Sequence, residues 1–311
     1  MKKRMIKYNL IIAMLVVLFP TIYFLNSYFT ANSQIEILDN EIVDDGPVQR
    51  PRPDGLPNTN NSTTTQPIQF RNGMEAVQYA VNILQTGISF ENNIDIIINC
   101  EGIGSLRTFY EAYRYKNHEM QKIWCDCTLP LEIGNFYQLV YSNCQTTKER
   151  SIYDSSRYSL KDKSYSFTDN DKIEGDAISE YIENDNVKGW NNFFISVDSS
   201  LARVIYFDKS NPYYYTVKIS FNQSRLNQLE YAKKMISKGA LSVDMTKLDL
   251  TIKIDKMTGY MLSCTRDEAF KIVFGNLGSL SCKGKGIMTY KYVDTKDKII
   301  NIAKNELNVG Y

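Results

Sequence analysis

The stretch Leu10–Phe29, LIIAMLVVLFPTIYFLNSYF, constrains this chain more than any other feature. Its only ionisable side chains are the neutral phenols of Tyr23 and Tyr28. A helix needs about 20 apolar residues to cross a hydrocarbon core roughly 30 Å thick, and this run has that length. Tyr23, Phe24, Tyr28 and Phe29 crowd its C-terminal third, where amphipathic rings suit the headgroup layer. Pro20 sits mid-segment, which a lipid-buried helix tolerates as a kink. Asn26 and Ser27 shorten the apolar core toward Leu10–Leu25. Lys2, Lys3, Arg4 and Lys7 precede the run, and the next basic residue is Arg50. The positive-inside rule therefore predicts a cytoplasmic N-terminus with the remaining chain outside.

The expected organisation is a basic cytoplasmic tail over 1–9, a transmembrane signal anchor over 10–29, a disordered linker over 30–70 and an extracytoplasmic α+β domain over 71–311. A cleaved signal peptide competes with the anchor, because Ala31-Asn32-Ser33 has a small-x-small pattern. The apolar run is longer than the usual signal-peptide core. A soluble buried helix fits less well, since the run is apolar on every face. No Cys precedes Cys100, which excludes lipid attachment at an N-terminal Cys.

The linker opens with acidic Glu36, Asp39, Glu41, Asp44 and Asp45, then reads PVQRPRPDGLPNTNNSTTTQP. Such a composition buries too little apolar surface to fold and reads as a spacer. Net charge is +1, so nothing points to nucleic acid as a partner. The six cysteines, Cys100, Cys125, Cys127, Cys144, Cys264 and Cys282, all follow the anchor. Spacing leaves open whether they pair as disulfides or fill the core as small hydrophobes.

Periodicity predicts a helix over Asn72–Gln85, from Met74, Val77, Val81 and Leu84. Ile94–Cys100 reads as a short strand, and Leu106–Tyr115 as a long strand with one wet face. Gln121–Leu129 and Asn135–Ser142 continue the strand texture, and Glu149–Asp171 reads as exposed strands or loops. Asp176–Glu183 is a short helix candidate, while Trp190–Val197 and Leu201–Phe207 read as strand or helix-strand material. Tyr213–Asn222 alternates, with Tyr215, Val217, Ile219 and Phe221 on one side. Arg225–Lys238 reads as a helix with Ser224 before it and Gly239 after it. Leu248–Ile254, a loop over Asp255–Gly259 and a return strand from Tyr260 form the clearest hairpin. Phe270–Phe274 and Ile287–Val293 supply further strands, and Thr295–Asn308 a terminal helix with Ile299, Ile302 and Ala303 on its stripe. The expected class is α+β: a curved antiparallel sheet, or half-barrel, with helices on one face, preceded by one transmembrane helix.

The order of elements in Asp176–Phe274 resembles that of bacterial extracytoplasmic proteins of the lipoprotein-carrier (Lol-type) fold. A short helix precedes strands ending in YYYTVKISFN, a helix follows, and then LDLTIKIDKMTGYML. The resemblance extends over about 72–293. It implies a curved sheet half-wrapping a helical plug, with a concavity able to hold acyl chains. The anchor and six cysteines depart from soluble carriers, which counts against a shuttle and leaves open a fixed sensor of lipid or peptide, like the related envelope-stress regulators.

Residues with catalytic potential are sparse. His118 is the only histidine and sits in a polar, turn-like stretch. Cys125 and Cys127 share one strand face, and His118 or Cys144 would have to complete any zinc site there, but Cys-x-Cys is neither the usual zinc knuckle nor a redox motif. Asp249 with Asp255 and Asp267 with Glu268 are the acidic pairs; Asp249 and Asp255 read as solvated residues on the wet face of a strand. The glycines and lysines of Gly275–Gly286 match neither a phosphate loop nor a dinucleotide fingerprint and read as a flexible connection.

No catalytic, cofactor-binding or metal residue is therefore expected. The reading is a non-catalytic, membrane-tethered binding protein for a lipid, another apolar ligand or an envelope partner. Leu248, Leu250, Ile252, Ile254, Tyr215, Val217 and Ile219 either line its cavity or form its dry core. The alternative is a structural or regulatory cell-envelope interaction protein without a small ligand. If the anchor is retained, the chain expressed with its own N-terminus should stay with membranes after carbonate extraction. N-terminal sequencing that begins after Ser33 would replace the anchor by a cleaved signal.

Overall fold

A computed structural model describes residues 66–85, 88–128, 135–143, 147–175, 202–221, 242–273 and 279–309. The Leu10–Phe29 segment, the linker up to residue 65, Cys144, the expected helices Asp176–Glu183 and Arg225–Lys238, and Trp190–Val197 lie outside these residues. Among the described residues no helix is long and apolar enough to cross a membrane.

The first helix, α1 (Gly73–Gln85), begins at Asn72. The Asn72 Oδ1 accepts the Glu75 N–H at 3.0 Å, and Glu75 Oε2 accepts the Arg71 N–H at 2.8 Å, so two free donors of the first turn are met. Strands β1 (Phe90–Cys100), β2 (Gly104–Tyr115), β3 (His118–Cys127), β4 (Phe136–Ser142) and β5 (Thr147–Ile152) follow. A small hairpin, β6 (Tyr158–Ser159) and β7 (Ser164–Tyr165), stands apart. Then come β8 (Ala202–Asp208), β9 (Tyr214–Phe221), β10 (Ser242–Asp255), β11 (Met261–Val273), β12 (Ser279–Lys291) and the helix α2 (Lys296–Leu307).

Ten strands form one open antiparallel sheet in the order β5-β4-β3-β2-β1-β12-β11-β10-β9-β8. Every ladder but one joins strands consecutive in sequence; the exception is β1 with β12, paired from Glu91↔Lys291 to Cys100↔Cys282. The hairpin predicted around Asp255 is present. The Asp255 carboxylate accepts the N–H groups of Met257 and Thr258 and the Thr258 hydroxyl, at 2.8–3.1 Å. Gly259 has φ +69°, and a Cβ there would lie 2.2 Å from the Tyr79 ring of α1, so backbone conformation and helix approach both require glycine.

Alternation assigns the faces. Tyr215, Val217, Ile219 and Phe221 of β9 and Leu248, Leu250, Ile252 and Ile254 of β10 are buried against Ala76, Val77, Ala80 and Leu84 of α1. The small residues of α1 let it approach closely; a Cβ on Gly73 would meet Val217 Cγ1 at 2.9 Å. On the opposite face Ile299, Ala303 and Leu307 of α2 cover Phe109, Tyr113, Met120, Trp124, Tyr137, Leu139 and Tyr141. Asn308 closes α2 in the left-handed conformation, and the Val309 N–H reaches the Ala303 carbonyl at 3.1 Å.

Five expectations change. The two described helices lie on opposite faces of the sheet, not on one, because the apolar stripe of α2 matches the outward residues of β2–β4. Strand β2 is consequently covered on both faces from Thr108 to Arg114: Tyr110 belongs to the α1 core and Phe109 to the α2 core. Phe270 is not in a separate strand but near the end of β11, and β12 starts at Ser279, ahead of Ile287. Gly284 and Gly286 lie inside β12, not in a connection, since a Cβ on Gly284 would come within 2.6 Å of Glu268 Oε1. Asp255 is buried, not solvated, because its carboxylate holds the turn.

Gly284→Ala should destabilise the fold by about 1–3 kcal/mol, by overpacking Glu268. Lys283→Ala, one residue away on the solvent side, should stay within about 0.5 kcal/mol. Chemical denaturation of both variants measures the difference, and equal losses would contradict this register.

Candidate functional site: a polar row in an apolar sheet face

The strand register builds rows of side chains across the α1 face. One row runs Tyr290, Asn92, Ala112, Gln121, Val140; the next runs Phe90, Arg114, Glu119, Ser142. Asn92, Arg114, Glu119, Gln121 and Tyr290 are all buried there. The Gln121 amide donates to Glu119 Oε1 at 2.6 Å. Arg114 Nη1 donates to the Leu84 carbonyl at 2.9 Å, placing a cation on the C-terminal turn of α1. Its guanidinium also lies 6.0 Å from the centre of the Phe90 ring.

Asn92 Oδ1, Glu119 Oε2 and Tyr290 OH are among the buried atoms of these rows that lack a hydrogen-bond partner. The α2 face also buries the phenols of Tyr137 and Tyr158, and Tyr137 stacks on Tyr165 at 4.4 Å. Burial pushes the Glu119 carboxyl up to about 7, against the opposing pull of Arg114 and the Gln121 hydrogen bond. Burial likewise raises the Tyr290 phenol well above its ordinary range.

The neighbouring row, Met288, Ile94, Tyr110, Ile123, Gln138, is mainly apolar, and Ile94 and Ile96 remain partly exposed. It ends at a groove of about 370 Å³ between the sheet edge and the 170–174 segment. Phe136, Gln138, Glu149, Tyr153, Lys172 and Glu174 contribute to its lining. Arg150 in its wall is occupied structurally, donating to the carbonyls of Asp171, Thr168 and Glu306. A second buried polar pair sits further along the same face: Arg266 Nε donates to Glu268 Oε2 at 2.9 Å, in the space left by Gly284.

The residues singled out in the sequence are not brought together. His118 lies on the α2 face, its Nδ1 2.8 Å from the Tyr141 hydroxyl, and burial beside Lys116 lowers its pKa. Cys125 is buried on the α1 face, where burial pushes its thiol up to about 12; Cys127 is half-buried beside it. Asp249 and Asp267 are solvent-side partners of Lys247, at 3.5 and 2.6 Å. Glu268 points to the other face and pairs with Arg266. Among the described residues no three of His, Cys, Asp and Glu converge to hold a metal. Asn92, Glu119 and Tyr290 were missed, although one signal was available. In β1 every second residue from Phe90 to Cys100 is apolar except Asn92.

No protein-family model matches the chain, and no curated protein matches it. Among solved structures it is similar to a LolA superfamily protein from Nitrosomonas europaea, at 10% identity over 73% of this chain and 96% of that chain, with a TM-score of 0.23. It is also similar to the ywiB protein from Bacillus subtilis, at 9% identity over 66% of this chain and 92% of that chain, with a TM-score of 0.15. At these TM-scores neither likeness carries an argument about this chain.

A carboxyl with a raised pKa in the folded state stabilises most below its unfolded value. That stability falls as pH rises from 4.5 through about 7. The loss across this window should reach roughly 3 kcal/mol. Glu119→Gln should flatten this part of the stability curve in denaturant titrations at stepped pH. An unchanged slope would show that Glu119 is ionised in the fold.

Proposed function

We propose that this is a membrane-tethered, extracytoplasmic binding protein that takes, without catalysis, a lipid or other apolar ligand carrying a polar head. The observation that carries the reading is that Asn92 Oδ1, Glu119 Oε2 and Tyr290 OH are buried without a hydrogen-bond partner in adjoining rows of the α1 face. Each such atom costs about 1–3 kcal/mol when left unpaired, and a ligand head that pairs with them recovers that cost. A neutral Glu119 carboxyl both donates and accepts, so it suits a hydroxyl, amide or carboxylic head. Ile94 and Ile96 meet the apolar part, and the groove beside Gln138 gives access from the sheet edge. The Leu10–Phe29 segment, read as an anchor, holds this face near one membrane and favours capture or sensing over transport between membranes.

A second reading, an envelope interaction protein without a small ligand, draws on Ile97 and Ile287. They are exposed diagonal neighbours on the face of β1 and β12 that bears Lys285 and Asp95. Palmitate and monopalmitin added to the purified full chain in detergent discriminate the two. Native mass spectrometry should show one bound amphiphile, and Glu119→Leu should lower its affinity at least tenfold with the fold retained by circular dichroism. Absence of uptake of either amphiphile by the wild-type chain would reject the ligand reading and leave the interaction reading.

A further inference from the structure

Cys100 closes β1 and Cys282 lies near the start of β12, and the two are direct partners across the only ladder that joins strands distant in sequence. Their sulfurs are 3.2 Å apart, and both side chains are buried. The adjacent pair fixes the geometry. Glu101 N–H donates to the Ser281 carbonyl at 3.0 Å, so Glu101 and Ser281 form a hydrogen-bonded pair. Hydrogen-bonded and non-hydrogen-bonded pairs alternate along an antiparallel ladder, so Cys100 and Cys282 form a non-hydrogen-bonded pair. In such pairs the Cα atoms lie about 4.5 Å apart and side chains approach most closely. That spacing is inside the roughly 4.4–6.8 Å range that disulfides occupy.

We propose that Cys100 and Cys282 are a disulfide-forming site that locks the two halves of the sheet together under oxidising conditions. The oxidant is a disulfide, of the small-molecule or thiol-oxidoreductase kind. A thiolate at Cys100 attacks one sulfur of the oxidant and expels its first thiol. The Cys282 thiolate then attacks the mixed disulfide at the Cys100 sulfur and expels the second. Two protein thiols and one disulfide thus become one protein disulfide and two thiols, with the two cysteine protons taken up by the expelled thiolates and two electrons passed to the oxidant. Cys100 is the reachable end, since it is followed by the exposed turn at Glu101 and Gly102. The other described cysteines are differently placed. Cys125 and Cys127 sit on one strand, two residues apart, and Cys264 packs in the α1 core on β11.

The test is oxidation of the reduced full chain in detergent with oxidised glutathione, followed by alkylation, proteolysis and peptide mass mapping. The expected product is a single linked peptide joining Cys100 to Cys282, with Cys125, Cys127 and Cys264 alkylated as thiols. The oxidised chain should unfold at a higher temperature than the reduced one, and dithiothreitol should reverse the shift. Cys282→Ser should abolish both the link and the shift, whereas Cys264→Ser should keep both. Recovery of Cys100 and Cys282 as free thiols or as glutathione adducts, or linked to other cysteines, would overturn the proposal. The outcome is independent of ligand uptake.

Discussion

The pairing of β1 with β12 is the constraint on which this structure depends. Without it the chain would hold two five-stranded meanders, β1–β5 and β12 back to β8, each built only from neighbours in sequence. The cost of joining them grows only slowly with the length of chain between them, and the gain is a shared core. Phe90 meets Tyr290 edge-on at 5.3 Å, and Ile98, Cys100, Leu280 and Cys282 belong to one buried cluster. One end of the seam is clasped by polar groups. Ser89 Oγ donates to the carbonyls of Arg114 and Val293, and the Thr295 N–H donates to Ser89 Oγ at 3.0 Å. The other end carries the two facing thiols. The candidate site straddles the same seam, since Tyr290 is on β12 and Asn92 on β1. The candidate site and the integrity of the sheet therefore rest on one ladder.

The two halves of the sheet solve their burial differently. The β9–β12 half has one covered face, and its strands alternate as a half-wet sheet should; β12 is buried at nearly every second residue. The β2–β4 half is sandwiched between the α1 core and the aromatic α2 core, and every residue of β4 is buried. Large rings serve the second face. Trp124 lies 5.0 Å from Tyr137 and 5.9 Å from Phe109, which stand beside it on adjacent strands. The same doubling explains why Met120 and Trp124, which alternate with Gln121 and Ile123 along β3, are buried as well. Positions that would face water in a one-layer sheet face a core here.

What the sequence revealed follows that division. The hairpin at Asp255, the alternation of Tyr215–Phe221 and the stripe of the terminal helix depend on contacts within a few residues, so period and turn chemistry disclose them. The seam does not, because nothing local in Glu91–Cys100 specifies a partner near residue 290. Arg107, Glu111 and Arg114 interrupt the aromatic residues of β2, which is why the strand read as half-solvated although both of its faces are covered from Thr108 to Arg114. Gly284 looked like a loop residue because its role is to leave room for Glu268 on the next strand, a relation visible only with register in hand. The candidate site was hidden for a similar reason. Glu119 sits two residues from Gln121 in a polar-looking stretch, and only its row neighbour Arg114 and the adjoining row through Asn92 and Tyr290 show that it lies inside.

Access to the α1 face is limited by how firmly α1 is held. Its first residue, Gly73, touches Val217; Tyr79 abuts Gly259 in the tight turn; and its last turn receives Arg114 through the Leu84 carbonyl. These three attachments lie at the start, middle and end of the helix and involve strands from both halves of the sheet. Sliding α1 would strand the buried Arg114 guanidinium away from a carbonyl, a loss far larger than that of a surface contact. A ligand taken up on this face as proposed would have to enter without displacing α1. The face continues to the β4–β5 edge, where the row through Ile94 and Tyr110 ends in the open groove beside Gln138. The wall of that groove is itself braced by Arg150 across three carbonyls, one of them from α2. The helix on the far face thus helps brace the wall of this groove through the Glu306 carbonyl.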